Sequence, residues 1–150
     1  MALTYDEAID QIFSIFRTAW NAKSAAIVGY IPEVRWPGVE EPDTPNTDKF
    51  WVRVSQQTVK EGQSTLRNDG CTRYTTDGLL FIQLFCPKSD SKSMEKGRKL
   101  AMLARDAYRG NSTDGKVWFR DARIKELPPE KDWYRFNIIA EYEYDEAKEA

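Results

Sequence analysis

The chain reads as an α+β domain, a mostly antiparallel β-sheet with two helices packed on one face, and three stretches carry that reading. Residues 78–87, Gly-Leu-Leu-Phe-Ile-Gln-Leu-Phe-Cys-Pro, form its near-continuous apolar run. Such a run is the pattern of a central strand buried on both faces, and Pro87 closes it because proline cannot extend a ladder. Two other stretches, 5–20 and 94–108, repeat apolar residues at helical spacing. At 150 residues, without an internal repeat, the expectation is one domain over 1–150. Its expected appendages are a long loop over 32–48, a projecting hairpin over 60–77 and a frayed tail over 145–150.

The first helix has a marked start, since Thr4 and Glu7 have the spacing of a capping box. Tyr5, Ile9, Ile12, Phe13, Phe16 and Trp20 then form one apolar face. A short strand is expected around Ala26 to Ile31, ended by Pro32. The stretch from Trp36 to Asn46 holds three prolines and several acids, so it can be neither regular helix nor central strand. From Phe50 to about Val59 the pattern alternates, the mark of a half-buried strand. Glu61-Gly62 and Asn68-Asp69-Gly70 read as turns on either side of a polar strand, which makes 60–77 a hairpin projecting from the sheet edge. Gln83 interrupts the central run, and a polar amide there needs a neighbouring side chain or a subunit covering that face. A second helix is expected from Ser89–Ser93 to Tyr108, stopped by Gly110, with Gly97, Ala101 and Ala104 permitting close approach. Strands follow at 117–124 and 133–144, the last alternating Tyr134, Phe136, Ile138, Ala140, Tyr142 and Tyr144 against Trp133, Arg135, Asn137, Ile139, Glu141 and Glu143.

Histidine is absent, which removes the commonest general base and metal ligand. Cys71 and Cys86 lack metal-site or redox spacing, and Cys86 reads as a small buried residue. The pairs Glu40/Glu41 and Asp145/Glu146 lie where carboxylates are solvated and not poised for acid–base work. Glu141 and Glu143 share a strand face and could meet a cation, although an exposed polar face accounts for them more simply. The isolated turn glycines match no phosphate-binding loop. No catalytic, cofactor or metal site is therefore expected. Basic and acidic residues balance to a net charge of −2 without a cationic block, which argues against tight sequence-independent nucleic-acid binding. No signal-like segment opens the chain and no apolar run approaches the roughly 20 residues of a membrane helix, so synthesis in the cytoplasm is expected. Five Trp, seven Tyr and seven Phe fit a self-associating protein and a Trp-rich core equally well.

In order, these features resemble the tail terminator proteins of long-tailed bacteriophages, including lambda-like minor tail proteins. The resemblance runs through Glu7 to Phe13 (Glu-Ala-Ile-x-x-x-Phe), Trp36-Pro37-Gly38, Phe-Trp-Val-Arg-Val at 50–54, the run at 78–87, the Ala101–Tyr108 helix, a Val-Trp-Phe strand and the aromatic last strand. It covers nearly the whole chain. It implies a structural virion protein at the head-proximal end of the tail: a hexameric ring on the tail tube that stops tube polymerisation and offers the head-attachment interface. Implied partners are further copies, the tail tube protein and a neck or head-completion protein, with DNA passing through unbound. A domain with a radius of gyration of about 15 Å can surround a DNA channel only as a ring of copies. An acidic chain also suits a channel through which phosphates must slide.

Expected assembly residues are Trp36, Glu40, Glu41 and Asp43 in the proline-rich arm, Arg67, Arg73 and Tyr74 exposed on the hairpin, and Trp133, Arg135 and Glu141 on the last strand. A head–tail connector binding the portal side is the alternative reading. An enzymatic domain would instead need a deep pocket with converging polar groups.

Overall fold

Thr4 starts the first helix as its spacing predicts. Its Oγ1 accepts from the Glu7 N–H at 3.2 Å while Glu7 Oε1 accepts from the Thr4 N–H at 3.3 Å, so two backbone donors that the helix leaves free are satisfied. The Thr4 hydroxyl, which lies 2.9 Å from Glu7 Oε1, and then the Thr4 N–H hold the Glu7 carboxyl below its usual range. The computed structural model, which describes residues 3–39, 46–65, 71–112 and 116–149, places this helix, α1, at Tyr5–Lys23. Then come α2 (Ala25–Val28), β1 (Glu33–Arg35), β2 (Trp51–Thr65), β3 (Cys71–Pro87), α3 (Ser93–Tyr108), β4 (Val117–Leu127) and β5 (Trp133–Glu149). The strands form one mixed sheet in the order β1-β2-β3-β5-β4, parallel between β1 and β2 and antiparallel elsewhere. The apolar run at 78–87 is thus the middle strand, as its sequence predicts. The result is the expected α+β fold, with the two long helices on one face.

Alternation divides each strand between two environments. Val52, Val54, Leu80, Ile82, Leu84, Phe136 and Ile138 point toward the helices and are buried with Ile12, Phe16, Trp20, Leu100 and Tyr108. Tyr108 joins the two helices, its hydroxyl donating to the Ile12 carbonyl at 2.6 Å. Gly97 lets α3 sit directly on the sheet, because a Cβ there would lie 2.6 Å from Cys86 Sγ and 2.8 Å from the Phe136 ring. Cys86 is the small buried residue expected, and burial pushes its thiol pKa up. Gly78 makes room in the same way for the Tyr142 ring, whose hydroxyl donates to Gln56 Oε1 at 2.7 Å.

Several expectations need correction. The central run is covered by helices on one side only, because both long helices lie on the same face. Ala26 to Ile31 holds no strand: the Ser24 hydroxyl donates to the Trp20 carbonyl at 2.6 Å, the chain makes the helical turn α2, and Gly29 ends it at φ 86°. The loop predicted over 32–48 contains β1. No turn separates Val59 from Gln63. β2 continues to Thr65 past bulges at Thr58/Lys60 and Gln63/Thr65, so the hairpin prolongs the sheet's interior strands and does not hang from an edge. The tail predicted to fray is strand as far as Glu149, held by pairing of Asp145 to Glu149 with Thr75 to Cys71. The second helix begins only at Ser93, after Asp90 Oδ1 accepts from the Lys92 N–H at 2.8 Å.

Candidate functional site

The opposite face of the sheet has no helix over it. Across the strands its residues fall into rows fixed by register: Trp51–Phe85–Arg135–Leu127, then Arg53–Gln83–Asn137–Lys125, then Ser55–Phe81–Ile139–Arg123, then Gln57–Leu79–Glu141–Arg120, then Lys60–Asp77–Glu143–Trp118, with Gly62–Thr75–Asp145 beyond it. Its composition is mixed where the covered face is mostly apolar. Three features organise it.

An aromatic corner lies at the β1 end. Trp51 and Phe85 stack with ring centroids 4.1 Å apart, and Trp133 meets both edge-on. The three form a small core of their own, separate from the main one. Arg53 lies over both Trp51 and Phe85, and Arg35 lies over Trp51, at 5.1–5.7 Å from the ring centroids, within cation–π range. A cleft of about 400 Å³ opens here, lined by Arg35, Arg53, Arg135, Gln83 and Trp133 among others. The indole N–H of Trp51, in a side chain only 5% exposed, has no hydrogen-bond acceptor among the described residues, and neither does Asn137 Oδ1 have a donor.

At the far end lies an ion-pair cluster that the strand pattern does not reveal. Arg120 reaches Glu143 at 2.9 Å, Asp77 at 3.3 Å and Glu141 at 3.6 Å, while Arg123 reaches Glu141 at 3.0 Å. Strict alternation would put residues three apart on opposite faces. A bulge between Arg120 and Arg123, with Asp121 at φ 52°, sets two residues against Ala140 and returns both arginines to the same side. The carboxylates Glu141 and Glu143 are therefore occupied by arginines. Between these ends, Leu79, Phe81 and Ile139 form an apolar centre, partly exposed at Leu79 and Phe81.

The predicted assembly residues divide unevenly. Trp133 and Glu141 are on this face, but Trp133 is 9% exposed, buried by Trp51 and Phe85 of its own chain and not awaiting a neighbour. Arg135 is also used locally: Nε and Nη2 donate to the Pro128 carbonyl and Nη1 pairs with Glu130 at 3.0 Å. Trp36 does not reach out on an arm. It packs against Phe13 and Phe16 with Arg17 over its ring, because a large apolar side chain next to α1 gains more by burial there. Tyr74 is half-buried in β3 where exposure was expected, flanked by Gln63 and Glu146. Glu40, Glu41, Asp43 and Arg67 lie outside the described residues, as does the side chain of Arg73. The residues that sequence reasoning missed are Arg53, Phe81 and Arg120. The Phe50 to Val54 alternation already put Arg53 opposite the buried valines, but only the register joins it to Phe85.

No family model matches the chain, and no curated protein matches it. A solved structure of a protein that bears no functional name is similar to it, with a TM-score of 0.52 and 15% identity over 87% of this chain and 94% of that one. The likeness shows the fold alone. The function has to be argued from surfaces, since one fold hosts many functions. Among the described residues no helix is long and apolar enough to cross a membrane, and no cluster of three or more His, Cys, Asp or Glu could hold a metal ion.

Proposed function

We propose that this chain is a structural protein of a bacteriophage virion, forming a ring on the end of the tail tube, stopping its polymerisation and providing the surface to which the head attaches. The observation that carries the assembly part of this reading is the uncovered sheet face, with Leu79, Phe81 and Ile139 at its centre and charged residues around them. An apolar centre with a polar rim is how a protein–protein interface is built. The ring, the tail position and the partners, a tail tube protein and a neck protein, rest on the sequence resemblance. DNA would pass through the ring without being held.

The test is to mix the purified protein with polymerised tail tubes and image them by electron microscopy. Rings at tube ends and tubes that no longer elongate are the expected outcome. Binding to portal or neck components with indifference to tubes would move the assignment to a head–tail connector, and binding to neither would overturn both.

A further inference from the structure

The open face is self-complementary along one diagonal. Phe81 occupies its middle, on the middle strand, with Ser55 beside it on β2 and Ile139 on β5. One row toward the β1 end and one strand over lies Arg53. The same step in the opposite direction reaches Glu141, so the two are related by a half-turn about Phe81 in the plane of the face. Arg53 shares its corner with Arg35, and Glu141 shares the other with Asp77 and Glu143, beside Arg120, Arg123 and Lys60. Among the described residues Arg53 has no carboxylate partner, only the two rings beneath it. Beside it the buried Trp51 indole N–H has no acceptor among the described residues.

We infer that a second copy of this chain covers this face in solution. The relating two-fold axis lies in the interface plane, passes Phe81 and runs perpendicular to the Arg53–Glu141 diagonal. Such an axis sets each Arg53 against the other copy's Glu141, brings each Arg35 near the other copy's Asp77 and Glu143, and lays Phe81 on Phe81. With strands about 4.8 Å apart and two-residue steps of about 6.7 Å, the diagonal runs about 35° off the strands, so the two sheets cross at about 70°. That is close to the orthogonal mode in which sheets pack. Five strands and five rows span roughly 600 Å² per copy, somewhat below the roughly 800 Å² per partner of a standard interface. A reversible dimer is the association that this area supports. Apolar residues at the axis give contact, and the reciprocal Arg53–Glu141 pairs give register.

The pairing does not depend on the ring reading. Where that reading holds, the closed pair occupies the face in the free protein and has to open before the face meets anything else. Pairing is read on the protein alone and capping needs tubes, so the two can fail separately.

Light scattering on a sizing column, over a concentration series of the full chain, tests it. The wild type should shift from monomer to dimer as concentration rises. Arg53→Glu and Glu141→Arg should each weaken the dimer by about tenfold or more, and an equimolar mixture of the two variants should recover it, because in the mixed pair every acid again faces an arginine. Phe81→Glu sets two carboxylates against each other on the axis and should give monomer. The side chain is partly exposed, so circular dichroism should show an unchanged fold. Three results would overturn the inference: a wild type that stays monomeric throughout, an oligomer that survives both Arg53→Glu and Phe81→Glu, or single variants that lose the dimer without recovery in the mixture.

Discussion

The two faces of this sheet are made by the same strands, residue by residue in alternation, and they differ in almost everything else. Toward the helices, β3 presents Leu80, Ile82, Leu84 and Cys86, each 1% exposed or less. Away from them it presents Leu79, Phe81, Gln83 and Phe85, of which only Phe85 is buried. The covered face closes within one chain and supplies the fold's stability. Folding alone leaves the other face half done, with aromatic rings under arginines at one end and carboxylates under arginines at the other. Apolar pattern marks strands well but does not say whether the cover over each face comes from the same chain.

Deleting the same ring on the two sides should give the widest gap in stability. Phe136, 1% exposed under α3, should cost about 3–5 kcal/mol on replacement by Ala, through lost transfer energy and the cavity left. Phe81→Ala, on the open face, should cost less, about 1–2 kcal/mol in the monomer, since part of its surface stays in water after folding. Urea unfolding of both variants, dilute enough to keep the chain monomeric, checks this. Similar costs would mean that the open face is covered within the chain. Next is Gly97→Ala, which pushes a methyl into Cys86 and Phe136. An already packed site should lose about 1–3 kcal/mol in the same assay.

These contrasts show how much of the molecule was legible beforehand. The capping box of Thr4 and Glu7, the helical stripe of α1, the central position of 78–87 and the small residues of α3 were all readable, because local hydrogen bonding and periodicity fix them. The segment 145–149 was not. Its charges suggest fraying, and what orders it is pairing with β3, a partner some 70 residues away. Ala-Ala-Ile-Val at 25–28 looks like strand, yet the Ser24 bond back to Trp20 sets a helical turn there. The bulge at Asp121 was equally hidden, and with it the union of Arg120 and Arg123 on one face. The proline-rich surroundings of Trp36 suggest an exposed arm, but its ring packs on α1. Half of the candidate surface was therefore visible as residues and almost none of it as an arrangement.

Alkali should act on the covered side. Burial pushes the Tyr142 hydroxyl up to about 12 from 10, and Tyr108 and Tyr144 also rise. A pKa raised in the folded state favours the protonated form, so this contribution is full below pH 10 and is lost as pH climbs from 10 through about 12. Unfolding midpoints should therefore hold steady up to about pH 9 and fall above 10. Tyr142→Phe should lose about 1 kcal/mol at neutral pH with its bond to Gln56, yet fall less steeply in alkali. An identical slope for the variant would remove Tyr142 from the account.

The smallest effect on stability should come from Arg120→Ala, and it separates the two faces most sharply. Arg120 is half exposed and joins Asp77, Glu141 and Glu143, and exposed pairs of this kind are worth up to about 1 kcal/mol. The monomer should lose no more than that, and less at high salt, where exposed charges are screened. Pairing should respond in the other direction. Without Arg120 the three carboxylates keep only Arg123, on Glu141, so the acidic corner becomes more negative toward the Arg35 and Arg53 of a second copy. Self-association should tighten several-fold at low ionic strength, and the gain should vanish near 1 M salt, where the screening length is about 3 Å. A substitution that merely loosened the sheet would weaken folding and pairing together. Opposite signs from one side chain require that the charges on this face balance within the chain for the fold and between chains for the pair.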